Sequence, residues 1–522
     1  MRGQAARAAG VTVRLGDLLA AVLLAGVLLA AVAFVAAKYS TRRLMRWAER
    51  QLGNATGRGP SEIVYALAAF PVRDVLLTAQ RAAHGMAATV DMESPLARQW
   101  LREVRFDPAT LSPTARRALP AARLGVRLGP RAQRPLALDF PVILSGMGWG
   151  VAVSDDVRQV LAEAGALTGV AVNSGEGPAL PIELETAPRW IWQWGRSSWQ
   201  AVATAVPAGM IELQVGQASE GGTAVHKSRR HLPRVMRRVG LARGSLRIRA
   251  GLPMALADWV RNARACAGGA PVAVKLPASQ HVEADLAILA AVGVDVVVLD
   301  GAGAGTAGSP AALADNQSIP TPVATARARR WLVRHGLGNA MSLVVSGHVH
   351  DAADIAKLLA LGADAIAVGT VALVAMSHGQ AASPLPEHGP TNLVLAAGSH
   401  DGRRFDRDLA AERLTNWLCA TRMELAIICQ SLGLRSVRDL RPHHLVADTR
   451  LCARALGIAW YGEASGRKGG DLAGLAAEVT AASRRTARLW DRLLKRADEA
   501  RPAARPRRRR VAGVLVGTLR HG

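Results

Sequence analysis

Lys275 stands inside an otherwise apolar run, "PVAVKLP" at 271–277. A lysine in a buried strand is costly unless its ammonium meets an opposite charge or works at a shifted pKa. The chemistry such a group can do is to stabilise negative charge that develops beside it. The bland alternative is a lysine that snorkels out at the strand end. A second set of candidates closes two other apolar runs. "SLVVSG" at 342–347 ends in Ser346 and Gly347, and "DAIAVGT" at 364–370 ends in Gly369 and Thr370. Small residues there let backbone N–H groups face phosphate oxygens, and a following helix adds its dipole. Glycines that merely permit tight turns are the competing explanation. A third stretch, "VVVLDGAGAGTAGSP" at 296–310, places Asp300 before Gly301, Gly303, Gly305 and Thr306. His348, His350, His378 and His388 fit no closed metal site, and H-E-x-x-H is absent, so no metal is expected. The four cysteines, Cys266, Cys419, Cys429 and Cys452, form no C-x-x-C pair, which suits a reducing compartment.

The elements that must position these groups recur from about residue 140. Eight short β-branched runs each end in Gly, Ser, Thr or Pro: 140–146, 169–175, 189–195, 210–216, 271–277, 294–301, 342–347 and 364–370. They are continuous rather than alternating, as expected of parallel strands buried on both faces. Helical patterns lie between several of them. "SDDVRQVLAEAGA" at 154–166 opens with Ser154 as N-cap and two acids in its first turn, and 282–293 and 351–363 behave likewise. The fold class read from this is α/β, a (β/α)8 TIM barrel of about 250 residues with helical flanking segments. An open doubly wound sheet is the runner-up, disfavoured by the count of eight and by the lack of an early G-x-G-x-x-G. Barrel chemistry sits where strands end. That singles out Ser145, Gly146 and Met147, then Asn173 to Gly177, Gln214 to Gly222, Lys275, Asp300 to Pro310, Ser346 to His348, and Gly369 with Thr370.

Beyond the barrel, the 522-residue chain carries 65 basic and 40 acidic residues, a formal charge of +25. Such a surface favours anionic partners. Residues 18–37 hold no charge and no proline, about 30 Å of helix, enough to cross a bilayer. Lys38, Arg42, Arg43, Arg46 and Arg50 follow directly, whereas Arg2, Arg7 and Arg14 precede. The expectation is a retained single-pass anchor in the cell membrane with the main domain cytoplasmic. The expected organisation is 1–38 with the transmembrane helix, 39–137 membrane-proximal and helical, 138–400 the barrel, 401–500 helical, and 501–522 a basic tail. The tail, "RPAARPRRRR" onward, reads as a partner for anionic lipid rather than nucleic acid. The basic amphipathic stretch at 472–500 leaves three alternatives: packing on the barrel, pairing with another subunit in a homo-oligomer, or lying on lipid.

The strand-end residues resemble the FMN-binding synthase domain of glutamate synthase, in order, over about 138–445. "SGMGWGVAVS" resembles that family's S-x-M-S-x-G-x-x-S, "NSGEG" its N-T-G-E-G-G, and "WIWQWG" its W-Q-x-G strand. "MIELQVGQASEGG" resembles I-E-I-K-x-x-Q-G-A-K-P-G-x-G-G, "VAVKL" a V-x-V-K-L, and "LDGAGAGTAGSP" a D-G-x-D/E-G-G-T-G-A-x-P. The resemblance implies bound FMN and hydride transfer from reduced FMN to a 2-oxo-acid-derived imine, giving an amino acid. It implies Lys275, Glu176 and Gln217 as catalytic residues. It implies Ser145, Gly146, Met147, Asn173, Lys275, Gly301, Gly305, Thr306, Ser346, Gly347, Gly369 and Thr370 as the cofactor-binding set. The departures are specific. No cysteine lies between 267 and 418, so the family's iron–sulfur cluster is not expected. The A-K-P-G lysine is missing, Gly303 stands where the family has an acid, Ala304 replaces a glycine, and Pro178 replaces the last glycine of G-E-G-G. No amidotransferase segment stands ahead of the barrel, so ammonia is not expected to come from glutamine here. The sequence names no electron donor. The alternative function is a catalytically degenerate, membrane-tethered scaffold that still binds a flavin or another phosphate ligand.

Overall fold

The computed structural model describes residues 100–108, 122–149, 153–195, 207–222, 225–227, 246–248, 251–302, 304, 317–378 and 405–463, with isolated residues in 78–85 and 484–492. The chain divides into two compact units, Met1–Pro108 with Leu119–Trp460, and Ala109–Ala118 with Tyr461–Gly522. The first holds a closed barrel of eight strands: Val142–Leu144, Ala171–Asn173, Trp190–Trp194, Met210–Gln214, Val272–Pro277, Val296–Asp300, Ser342–Ser346 and Ala365–Val368. Each falls within one of the eight runs read from the sequence. All pair in parallel, and the eighth closes on the first, with Ile366 opposite Val142 and Val368 opposite Leu144. The open doubly wound sheet is thereby excluded.

The strands are buried on both faces, which is why their runs are continuous. The helix after the first strand, Asp155–Thr168, begins at Ser154, whose hydroxyl accepts from the Val157 N–H at 3.3 Å. Asp155 and Asp156 meet the positive end of its dipole. It stops at Gly169 in the left-handed region, φ 77°, where a Cβ would lie 2.0 Å from Asp139 Oδ2. Asp351 caps Ala352–Ala360 in the same way by accepting from Asp354 N–H at 3.0 Å.

An antiparallel hairpin, Val126–Leu128 with Leu136–Leu138, lies against the amino-terminal ends of the strands. Gly129 N–H donates to Ser342 Oγ at 3.0 Å, and Arg189 Nε donates to the Ala137 carbonyl at 2.9 Å. Leu128 and Leu138 are buried there beside Phe140. The carboxyl-terminal rim is thus the end left for a ligand.

Where residues are described, 39–137 is not all helix: it contains Val104–Phe106 and Val126–Leu128 as strands. The region 401–500 is likewise mixed. Arg407–Ser431 is a long helix packed on Asp155–Thr168. Leu445–Ala447 is a strand, antiparallel to Val104–Phe106 and parallel to Ala459–Trp460. Cross-chain pairing overrides local helical preference in both regions. Among the described residues no helix is long and apolar enough to cross a membrane. The segments 18–37, 472–500 and 501–522 lie outside the described residues, apart from isolated positions.

Candidate active site

The rim gathers residues from all quarters of the barrel. Ser145 N–H donates to the Val368 carbonyl at 2.8 Å, which sets the end of strand one beside Gly369. Gly146 and Met147 abut Asn173 and Gly175. Gly175 has φ 65°, and a Cβ there would lie 2.1 Å from the Met147 carbonyl oxygen. The Asn173 side chain accepts from Gly175 N–H at 2.9 Å and holds that turn. Glu176 follows on the same loop, half-buried, and its carbonyl accepts from Trp149 N–H at 2.8 Å.

Beneath this loop lies a buried ion pair. Arg158 Nε donates to Glu183 Oε1 at 2.7 Å, its other arm meets Glu183 Oε2, and Nη1 donates to the Pro178 carbonyl at 3.0 Å. The side chains are 2% and 1% exposed. Burial raises the Glu183 pKa, and Arg158, although it pulls downward, does not fully offset it.

Lys275 does not snorkel. Its side chain is 5% exposed, and Nζ lies 3.2 Å from Asp300 Oδ2. Burial is the largest influence and would lower the ammonium pKa. Asp300, Glu212 and, more weakly, Glu176 outweigh it, so the net direction is upward and Lys275 is charged. Ser346 ends its strand with its hydroxyl engaged. It donates to Asp300 Oδ1 across the neighbouring strand. Gly301 N–H donates to the Ser346 carbonyl at 2.9 Å, and Thr321 Oγ1 donates to the Gly347 carbonyl at 2.8 Å. Gly369 and Thr370 begin the helix Thr370–Ser377, with Thr370 exposed, and the first N–H groups of that helix lack partners within it. Gln217 turns its loop through its carbonyl, which accepts from Gly221 N–H at 2.8 Å. Gly305 and Thr306, like Gly303, Pro310 and His388, lie outside the described residues.

Sequence reasoning named Asp300 only as a strand end, and it missed Glu212 and Gln193. Asp300, Glu212 and Gln193 are buried polar groups inside apolar strands, the same signal that singled out the lysine. Gln193 Nε2 donates to Glu212 Oε1 at 2.7 Å. Thr321 and the Arg158–Glu183 pair left no comparable mark, because they sit on helices. His348, at φ 53°, lies 6.3 Å ring to ring from His350, and burial together with His350 lowers its pKa. Among the described residues no cluster suits a metal ion.

Two buried polar atoms at the rim have no partner among the described residues, the Trp194 indole Nε1 and Gln317 Oε1. Gln317 borders the 217–222 loop, since a Cβ on Gly221 would lie 3.2 Å from its oxygen. One donor and one acceptor are therefore available to a bound molecule. Together with a buried cation below and an open helix start beside them, they suit a ligand carrying a planar polar group and an anionic end.

Residues 121–435 match the family model described as the conserved region in glutamate synthase. A glutamate synthase large subunit-like protein of Rhizobium meliloti is 28% identical over 378 residues, covering 64% of this chain and 82% of that protein. An archaeal-type glutamate synthase (NADPH) of Dehalococcoides mccartyi is 29% identical over 336 residues, covering 59% and 63%. An archaeal glutamate synthase (NADPH) of Archaeoglobus fulgidus is 27% identical over 358 residues, covering 64% and 65%. The chain thus spans somewhat less than two thirds of the length of these last two relatives. Among solved structures, an oxidised active mutant of (S)-mandelate dehydrogenase superposes with a TM-score of 0.46 at 14% identity, covering 71% of this chain and 98% of that one.

Proposed function

Because the chain belongs to the family defined by the conserved region of glutamate synthase, we propose that it is an FMN-dependent oxidoreductase of the glutamate synthase type, which delivers a hydride to an imine derived from a 2-oxo acid and so yields an amino acid. One observation carries this reading: a charged lysine, Lys275, buried inside the barrel below the carboxyl-terminal rim. The orphaned Trp194 and Gln317 atoms and the open start of Thr370–Ser377 are consistent with a flavin.

Bound FMN would supply the hydride chemistry itself. The residues that would hold it are Ser145, Gly146, Met147, Asn173, Lys275, Gly301, Gly305, Thr306, Ser346, Gly347, Gly369 and Thr370, with the Ser346 hydroxyl acting on Asp300. Lys275 supplies positive charge where the reduced ring system accumulates negative charge. Glu176 and Gln217 flank the same rim and would orient the substrate. No lysine occupies the A-K-P-G position, so a dicarboxylate substrate is recognised differently here, or a 2-oxo acid other than 2-oxoglutarate is used. A single-pass anchor at 18–37 would keep this activity at the inner face of a membrane.

The test is direct. Full-length protein purified in detergent is expected to carry flavin absorbance and to release FMN on denaturation. After reduction, a 2-oxo acid with ammonia is expected to reoxidise it above a blank. Colourless protein that takes up no added FMN would remove the proposal. Retained FMN without turnover would favour the scaffold reading, which the missing lysine and the Gly303 replacement support.

A further inference from the structure

Lys275, Asp300 and Glu212 share the barrel interior, one cation against two carboxyl groups. Asp300 is fully buried, and Lys275 and Glu212 are 4% and 3% exposed. The three lie on adjacent strands, with Gln214 beside Lys275 and Glu212 beside Ala273 in register. Asp300 is bound on both oxygens, by the Ser346 hydroxyl and by the Lys275 ammonium. Glu212 makes no ion pair among the described residues. Its neighbours are the amide of Gln193 at 2.7 Å and Asn173, with Lys275 acting at longer range. Leaving both carboxyls ionised would bury a net negative charge, which costs several kcal/mol even after relaxation. One proton resolves it, and only one of the two carboxyls lacks a cation at contact.

We propose that Asp300 and Glu212 are positioning residues for Lys275: Asp300, clamped by Ser346, is the counter-ion, and Glu212 is a neutral carboxylic acid that closes the buried cluster at zero net charge. Glu212 is faced by Lys275, Asp300, Gln193 and Asn173, and Glu176 acts on Lys275 from the rim. Burial raises its pKa, and Asp300 adds to the rise against the opposing pulls of Lys275, Gln193 and Asn173. The consequence is functional: the lysine presents only a locally balanced charge to the rim, so the site tunes a bound flavin gently rather than as a bare cation.

The last readout of the test rests on the flavin reading, while the first two do not. Infrared difference spectra of the full-length protein in light and heavy water are expected to show a buried protonated carboxyl at neutral pH. Glu212→Gln should remove that band. A band indifferent to Glu212→Gln would overturn the assignment. Thermal stability gives the second readout. A raised folded-state value means that Glu212 stabilises the fold below the ordinary carboxylate range and that this contribution is lost as pH rises through the raised value. Glu212→Gln should flatten that slope, and an unchanged slope counts against the proposal. Third, in FMN-loaded protein, sulfite affinity reads the charge that the cluster presents to the flavin. Glu212→Gln, which mimics the neutral acid, should leave sulfite affinity unchanged. Tighter sulfite binding in Glu212→Gln would show Glu212 ionised and refute the proposal. Failure to load FMN would sink the flavin reading alone.

Discussion

A buried lysine with a buried aspartate 3.2 Å away is the residue-scale core of this protein. Removing one partner of such a pair leaves an uncompensated charge, at about 3–5 kcal/mol. Lys275→Ala is therefore expected both to lower the urea midpoint and to strip flavin from the purified protein. Wild-type flavin retention in that variant would make the lysine purely structural. Arg158→Met is the control that separates the two effects. It leaves Glu183 buried and alone, again at about 3–5 kcal/mol, but lies beneath the Glu176 loop rather than in the lysine cluster. Denaturant unfolding should show a comparable loss of stability in both variants, with flavin loss greater for Lys275→Ala. Lys275 was legible in the sequence because a charge in an apolar run is costly wherever it folds. Gln193, Glu212 and Asp300 carried the same mark, but a polar residue in a short run also reads as an ordinary strand position. Which of them meets the lysine depends on strand register.

At the scale of elements, the turns decide the rim. Gly175 needs φ 65° and has no room for a Cβ against the Met147 carbonyl. Gly175→Ala is expected to destabilise the fold by at least about 1 kcal/mol and to loosen ligand retention, read as a lower thermal midpoint and faster flavin release. The start of Ala352–Ala360 offers a pH test. Asp354 is half-buried, its Oδ2 accepts from His350 N–H at 3.0 Å, and desolvation, with Asp351 beside it, raises its pKa to about 7. The folded state therefore holds this proton more tightly than the unfolded one. The resulting stabilisation is complete below the ordinary carboxylate range and is lost as pH rises through about 7. Thermal midpoints measured from mildly acidic to mildly alkaline pH should fall in the wild type and fall less in Asp354→Asn. An equal fall in both would mean another group carries the dependence. The strands and capped helices were readable because period, cap and stop are local signals. The short strands at 104–106, 445–447 and 459–460 were not, because each exists only by pairing with a segment distant in the chain.

On the scale of the whole molecule, the hairpin at 126–138 covers one end of the barrel, so chemistry is confined to the other. The charge of +25 and the apolar stretch at 18–37 place the prediction for location. Full-length protein is expected to stay with the membrane pellet through alkaline carbonate, and a variant lacking 18–37 is expected to be released. A full-length chain released by carbonate would remove the anchor from the account and leave the barrel chemistry untouched.

The amino-acid order alone determined eight parallel strands, their helices and one costly lysine, because hydrophobic period and buried charge are properties of a short window. Only the tertiary structure decided that Lys275 faces Asp300, that Ser346 turns inward to hold that aspartate, and that Glu212 sits in the same interior without a counter-ion of its own. Those choices follow from barrel closure and inter-strand register, which bring together residues far apart in sequence and set how many charges one buried space must balance.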